Sequence, residues 1–182
     1  MYKNMNIYFV RHGQTETNVK KIWNGKTDLP LSKIGLHQSK ELVVFFKNTR
    51  IDVIYSSPLI RARKTASPLA KSHKLKVIID ERLSERNFGS LELKPTISKD
   101  IYDMSNWDLN SDLDNGVETI QDMYFKRIKP FIDQIIKIHS KKTIVVVAHS
   151  WVGRLFNFYF SNKDKSTIAI TPKNGVPIKY KI

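Results

Sequence analysis

Two apolar runs that each stop on a histidine constrain this chain most. Ile7 to Val10 ends at Arg11-His12-Gly13. Thr143 to Ala148, with Val145, Val146 and Val147 in succession, ends at His149-Ser150, ahead of the apolar helical pattern from Trp151 to Phe160. An unbroken branched apolar run suits a strand covered on both faces, as in parallel sheets. Ile51 to Tyr55 and Lys76 to Ile79 add two further strands. Helical spacing lies between them. It covers residues 33 to 48, with Leu42, Phe45 and Phe46 on one face, and a stripe from Ile120 to Ile136. Strands alternating with helices predict an α/β fold, a three-layer sandwich whose mostly parallel central sheet is flanked by helices.

Local signals set the expected boundaries. Ser32 reads as an N-cap, and Ser56-Ser57-Pro58 as a second helix start with serine capping and proline in the first turn. Pro68 predicts a kink or an early end near Ser67, and Pro130 a kink in the later helix. Thr167 to Ile170 and Val176 to Ile182 read as closing strands joined by a turn at Asn174-Gly175. Residues 81 to 117 lack periodicity, and a stretch that long usually forms a functional lid. The expectation is one domain over residues 1–182 with a cap or lid at about 90–117.

Charge opens a question that the rest of the chain must answer. The 182 residues hold 31 Lys and Arg against 17 Asp and Glu, a formal net charge of +14. Nucleic acid or an anionic membrane surface could exploit such a field, as could a small anionic substrate, and a lysine-rich solvated surface without any partner accounts for it equally well. The lysines are scattered with no long basic run, so nucleic acid is not the expected partner. There is no cysteine, which excludes disulfides, thiolate metal sites and cysteine nucleophiles. The chain enters a strand within a few residues, without a signal-peptide core, and has no apolar run near the ~20 residues that span a bilayer. A cytoplasmic protein with no membrane partner is expected.

Ligands gather at the carboxyl ends of strands in open α/β sheets, which is where Arg11, His12 and His149 fall. Arginine offers a planar fork of donors suited to phosphate oxygens. Histidine in this place can be a metal ligand, a base or a covalent nucleophile. Four ordered segments narrow the choice. Arg11 to Asn18 fits Arg-His-Gly-(Gln/Glu)-(Thr/Ser)-x-x-Asn throughout, followed by Gly25, Asp28, Pro30, Leu31, Ser32, Gly35 and Gln38. Ser56 to Ala66 holds Ser-Ser-x-Leu-x-Arg-Ala-x-x-Thr-Ala, Leu83 to Glu92 holds Leu-x-Glu-x-x-Phe-Gly-x-Leu-Glu, and Ala148-His149-Ser150 closes the set. Together they resemble the signatures of the histidine phosphatase superfamily, which includes the cofactor-dependent phosphoglycerate mutases.

That resemblance implies a phosphomonoester hydrolase acting through a phosphohistidine on a small phosphorylated metabolite, with no metal and no cofactor. It makes His12 the nucleophile and Glu85, rather than Glu81 or Glu92, the proton-transferring carboxyl. Arg11, Arg61 and His149 would hold the phosphoryl oxygens, with Asn18, Asn24, Gly25 and Ser150 completing the substrate site. For His12 to attack, one ring nitrogen must be unprotonated and the other held as N–H, as a backbone carbonyl would do. The helix after His149 would aim its first N–H groups at an anion. A mutase would use the same residues, and Gly175-Val176-Pro177 has a mutase-like look. However, residues 94 to 117 contain Lys94 and Lys99 but not the paired arginines with which mutases grip a carboxylate, which favours the hydrolase. A catalytically inactive basic binding module on the same scaffold is disfavoured by the intact set of five side chains.

Overall fold

The computed structural model describes residues 5–96 and 116–182. Five strands form one sheet in the order β3-β2-β4-β1-β5. They are β1 (Asn6–Arg11), β2 (Val53–Ser56), β3 (Val77–Ile79), β4 (Thr143–Ala148) and β5 (Pro177–Lys181). The first four run parallel, and β5 pairs antiparallel with β1. As its valines predict, β4 is central. Ile144 to Ala148 are wholly buried, with Ile144, Val146 and Ala148 in one core and Val145 and Val147 in the other.

Each face of the sheet carries helices. On one lie α2 (Lys33–Phe46) and α3 (Ile60–Ser72), packing Leu42, Phe46, Ala62, Ala66 and Leu69 against Val10, Ile54 and Val145. On the other lie α5 (Lys129–Ile138) and α6 (Ser150–Phe160), which pack Phe131, Ile135, Val152 and Phe156 against Ile7, Phe9 and Val146. Two short helical turns, α1 (Glu16–Val19) and α4 (Ile120–Asp122), complete the set. Adjacent strands β1 and β4 therefore send their following helices to opposite faces, which opens a crevice at their carboxyl ends. The register places Arg11 beside Ala148 and Ser56 beside Val147, so the residues after β1, β2 and β4 meet at that crevice.

Several local expectations are corrected. Phe45 is 56% exposed, because the buried face of α2 follows Gly35, Ser39, Leu42 and Phe46 and leaves position 45 to one side. Ser56 and Ser57 do not cap a helix. α3 begins at Ile60, whose N–H donates to Asp28 Oδ1 at 2.6 Å, and Ser57 is engaged elsewhere. Pro68 neither ends α3 nor stops it near Ser67. The carbonyl its missing N–H would serve belongs to exposed Lys64, on the solvent side of the helix. Ahead of Pro130 the chain runs through a π-helical stretch, Met123–Ile128, where the Lys129 N–H reaches back to Tyr124 O. That wider turn leads into α5 with proline in its first turn. Thr167 to Ile170 is not a strand. Asp164 caps a 3₁₀ turn, Lys165–Ala169, through the Ser166 N–H, and only Ile168 of that turn is buried. Most of the expected lid at 90–117 falls on residues 97–115, which lie outside the described residues.

Candidate active site

His12 follows β1 and is 3% exposed. Its backbone N–H donates to Ala148 O at 2.9 Å, tying the end of β1 to the end of β4. Its Nδ1 lies 2.7 Å from Gly13 O. A carbonyl only accepts, so Nδ1 carries the proton and Nε2 keeps its lone pair. Burial pushes the imidazole well below its ordinary range, and the charges of Arg61 and Arg11 push it further the same way. Only glycine fits at position 13, since a Cβ there would lie 2.5 Å from Gly35 O.

Two guanidiniums supply the cations. Arg11 donates Nη1 to Pro172 O at 3.0 Å and leaves its buried Nε without a hydrogen-bond partner. Arg61 is fully buried on the first turn of α3. It donates Nη1 to Thr27 O at 2.7 Å and Nη2 to Gly25 O at 2.6 Å, again leaving Nε free. Burial pushes it down to about 10. The loop it grips is fastened from the other side by Glu92, which accepts from Lys26 N, Thr27 N and Thr27 Oγ1.

Glu85 is 6% exposed. Its Oε1 accepts from the Arg86 and Trp151 N–H groups at 2.9 and 3.2 Å, and its Oε2 from Ser150 N at 3.1 Å. The anion at the start of α6 is thus this carboxylate, not a site left open for a ligand. Burial raises the Glu85 carboxyl above its ordinary range, although the N–H donors and the two arginines pull downward.

Of the nine residues singled out from the sequence, eight line one cavity of about 510 Å³: Arg11, His12, Asn18, Asn24, Gly25, Arg61, Glu85 and Ser150. His149 lies behind that wall. Its ring centroid is 5.1 Å from that of His12, and its Nε2 meets Ser57 Oγ at 2.7 Å. It is fully buried, and burial followed by the neighbouring cations keeps it neutral. Asn18 accepts at Oδ1 from Thr15 N and Asn174 Nδ2. Asn24 is buried with neither amide atom bonded.

Sequence reasoning missed several parts of the site. Asn174 Nδ2 also donates to His12 O at 2.8 Å, bracing the histidine loop from the far end of the chain. Trp23 and Phe88, with ring centroids 4.5 Å apart, form part of the cavity wall together with Trp151 and Arg154. Arg154 had a legible signal as the lone charge in an apolar helix, and its guanidinium lies 4.8 Å from the Trp151 ring centroid. Among the described residues, no group of three or more His, Cys, Asp and Glu side chains could hold a metal ion.

The sequence model of the histidine phosphatase superfamily (branch 1) matches residues 7–172. Phosphoserine phosphatase 1 of Hydrogenobacter thermophilus is 31% identical over 194 aligned positions, covering 97% of this chain and 92% of its own. A Proteus mirabilis protein named "Probable phosphoglycerate mutase GpmB" is 39% identical, but over 48% of this chain and 41% of its own. A mycobacterial glucosyl-3-phosphoglycerate phosphatase, solved with VO3, superposes with a TM-score of 0.85 over 96% of this chain and 91% of its own. At 21% identity that likeness speaks for the fold alone.

Proposed function

The chain belongs to the histidine phosphatase superfamily, branch 1, and we propose that it hydrolyses a small phosphomonoester in the cytoplasm through a phosphohistidine at His12. The observation that carries this reading is the Nδ1 contact with Gly13 O, which leaves the lone pair of Nε2 unengaged on a histidine that lines the cavity with Arg11 and Arg61. The phosphoryl group would sit between those guanidiniums, with Asn18, Asn24 and Ser150 at its rim. Charge spreading over its three oxygens in the transition state would be met by donors already in place.

Nε2 attacks phosphorus in line. A P–N bond forms as the ester P–O bond breaks, and Glu85 gives its proton to the leaving oxygen. Water then attacks the phosphohistidine, Glu85 takes a proton from it, and inorganic phosphate departs with His12 restored. An arriving phosphate dianion raises the Glu85 carboxyl further by like-charge repulsion, in the direction burial has already moved it. The cations come from the protein, so no metal is needed. Residues 1–182 act as one domain. The name of the Hydrogenobacter relative puts phosphoserine first among the substrates to test.

A panel of phosphorylated metabolites assayed for free phosphate, with and without chelator, tests the proposal. Release that survives chelation and falls to background in His12→Ala is expected. Interconversion of phosphoglycerates that depends on a bisphosphate primer would overturn it in favour of a mutase. Salt-dependent nucleic-acid binding with no turnover would overturn it in favour of a binding module.

A further inference from the structure

Glu85 lies on a stretch without regular secondary structure, yet proton transfer requires its carboxyl to be held to within ~0.5 Å. The start of α6 holds its oxygens. An ion pair braces the backbone on either side of it. Arg127, on the π-helical stretch, donates Nη1 to Arg82 O at 3.1 Å and to Ser84 O at 2.8 Å, just ahead of Glu85. Its Nε and Nη2 meet Glu118 Oε1 and Oε2 at 2.8 and 2.6 Å. Glu118 in turn grips the residues just after Glu85. Its N–H donates to Asn87 O at 2.9 Å, its Oε2 accepts from Asn87 N at 3.3 Å, and its carbonyl accepts from Arg86 Nε at 2.6 Å. The two side chains are 17% and 18% exposed, and neither lines the cavity.

We infer that the Arg127–Glu118 pair is the positioning device for the Glu85 carboxyl, acting on protonation of the leaving group without touching substrate. This rests on the role proposed above for Glu85. The guanidinium uses all three of its nitrogens, spanning two carbonyls and one carboxylate. A lysine has one nitrogen and cannot do the same. The location fits, because π turns within helices recur at functional sites.

The test compares kcat/KM for two monoesters, an alkyl phosphate, whose alkoxide must be protonated, and 4-nitrophenyl phosphate, whose phenolate leaves without a proton. The ratio between them cancels the fraction of enzyme that is folded and active. General acid catalysis contributes on the order of 10²–10⁴-fold, so Arg127→Met should lower the alkyl/aryl ratio about 10- to 100-fold. Glu118→Gln should shift it the same way but less, and Arg127→Lys should fail to restore it. Glu85→Gln sets the floor, and adding Arg127→Met to it should lower the ratio no further. A ratio unchanged in Arg127→Met would overturn the inference and leave the pair as a brace for stability alone. If the wild type cleaves neither ester, the proposed function and this inference fall together. A wild type that cleaves both while Arg127→Met leaves their ratio intact sinks only the latter.

Discussion

Replacing Arg61 by alanine separates catalysis from stability. The fully buried guanidinium bonds two carbonyls, Thr27 O and Gly25 O. Leaving both unsatisfied costs about 1–3 kcal/mol each, so roughly 2–6 kcal/mol. Against this, the guanidinium is pushed down to about 10. Relative to its ordinary 12.5 that amounts to roughly 3 kcal/mol against burying the charge, which the truncation returns. The two effects largely cancel, so the net loss of stability should be no more than about 3 kcal/mol, enough to lower Tm but not to unfold the protein. The catalytic loss has no such offset. Removing a preorganised donor from a developing oxyanion costs about 10²–10³ in kcat. Denaturant titration beside kcat on 4-nitrophenyl phosphate gives both numbers on one preparation. Arg61→Lys should recover some stability through one carbonyl while kcat stays low, because an ammonium cannot offer the paired donors. If Arg61→Ala keeps kcat within about threefold of wild type, Arg61 only braces the loop and the cationic cup is refuted.

Three further outcomes follow from the ionisable groups. His12 must be neutral to attack, and burial with Arg61 and Arg11 holds it well below its ordinary range, so kcat/KM should not fall until pH is well under 6.5. Glu85 must be protonated at that step, and its carboxyl is raised mainly by burial. kcat/KM for an alkyl ester should therefore fall as pH rises through that raised value, and Glu85→Gln should abolish this limb. A limb that persists unchanged in the variant refutes the assignment. For Glu92, burial pushes the carboxyl up, but hydrogen bonds from Thr27, Lys26 and Phe88 outweigh it and leave the value lowered. A depressed folded value means stability present above the unfolded value, near 4.5, and lost as pH falls through the folded one. The gap between wild type and Glu92→Gln in denaturant midpoint should thus be full at pH 7 and shrink in acid, and a gap independent of pH would sink the idea.

Much of this fold was legible because burial on both faces leaves a strong signature. Val145 to Val147 suit a central parallel strand, and β4 is one. Some misses arose where a residue's local preference was overridden by a partner distant in sequence, others where a nearby cap overrode it. Ser57 has the chemistry of a helix cap but bonds His149, 92 residues on, while Asp28 takes over the start of α3. Thr167 to Ile170 has the composition of a strand, but Asp164 just ahead of it caps a 3₁₀ turn over Lys165–Ala169. The ordered motifs located eight of the cavity residues because those motifs encode chemistry at strand ends. The site role of Asn174, read only as part of a turn, and that of Arg127 escaped notice because each acts on the backbone of another segment, His12 O in one case and Ser84 O in the other. Polar anchors of that kind leave no periodicity to read.

The start of α6 shows how such a difference carries mechanistic weight. The sequence points its first N–H groups at an anion, and the anion proves to be Glu85. Those donors, with Arg11 and Arg61, favour the carboxylate, while burial favours the neutral acid, and the balance lifts the carboxyl above its ordinary range. A proton donor set between opposed influences responds to small changes in nearby charge. A phosphate dianion drawn in by the guanidiniums would both screen their pull and add repulsion, so Glu85 would take up a proton from solvent as the dianion binds. With the phosphoryl group on His12 and the alcohol gone with the proton, the same N–H groups would stabilise the carboxylate that activates water in the proposed second step. The helix start would then serve the second step and burial the first, with the substrate's own charge switching between them.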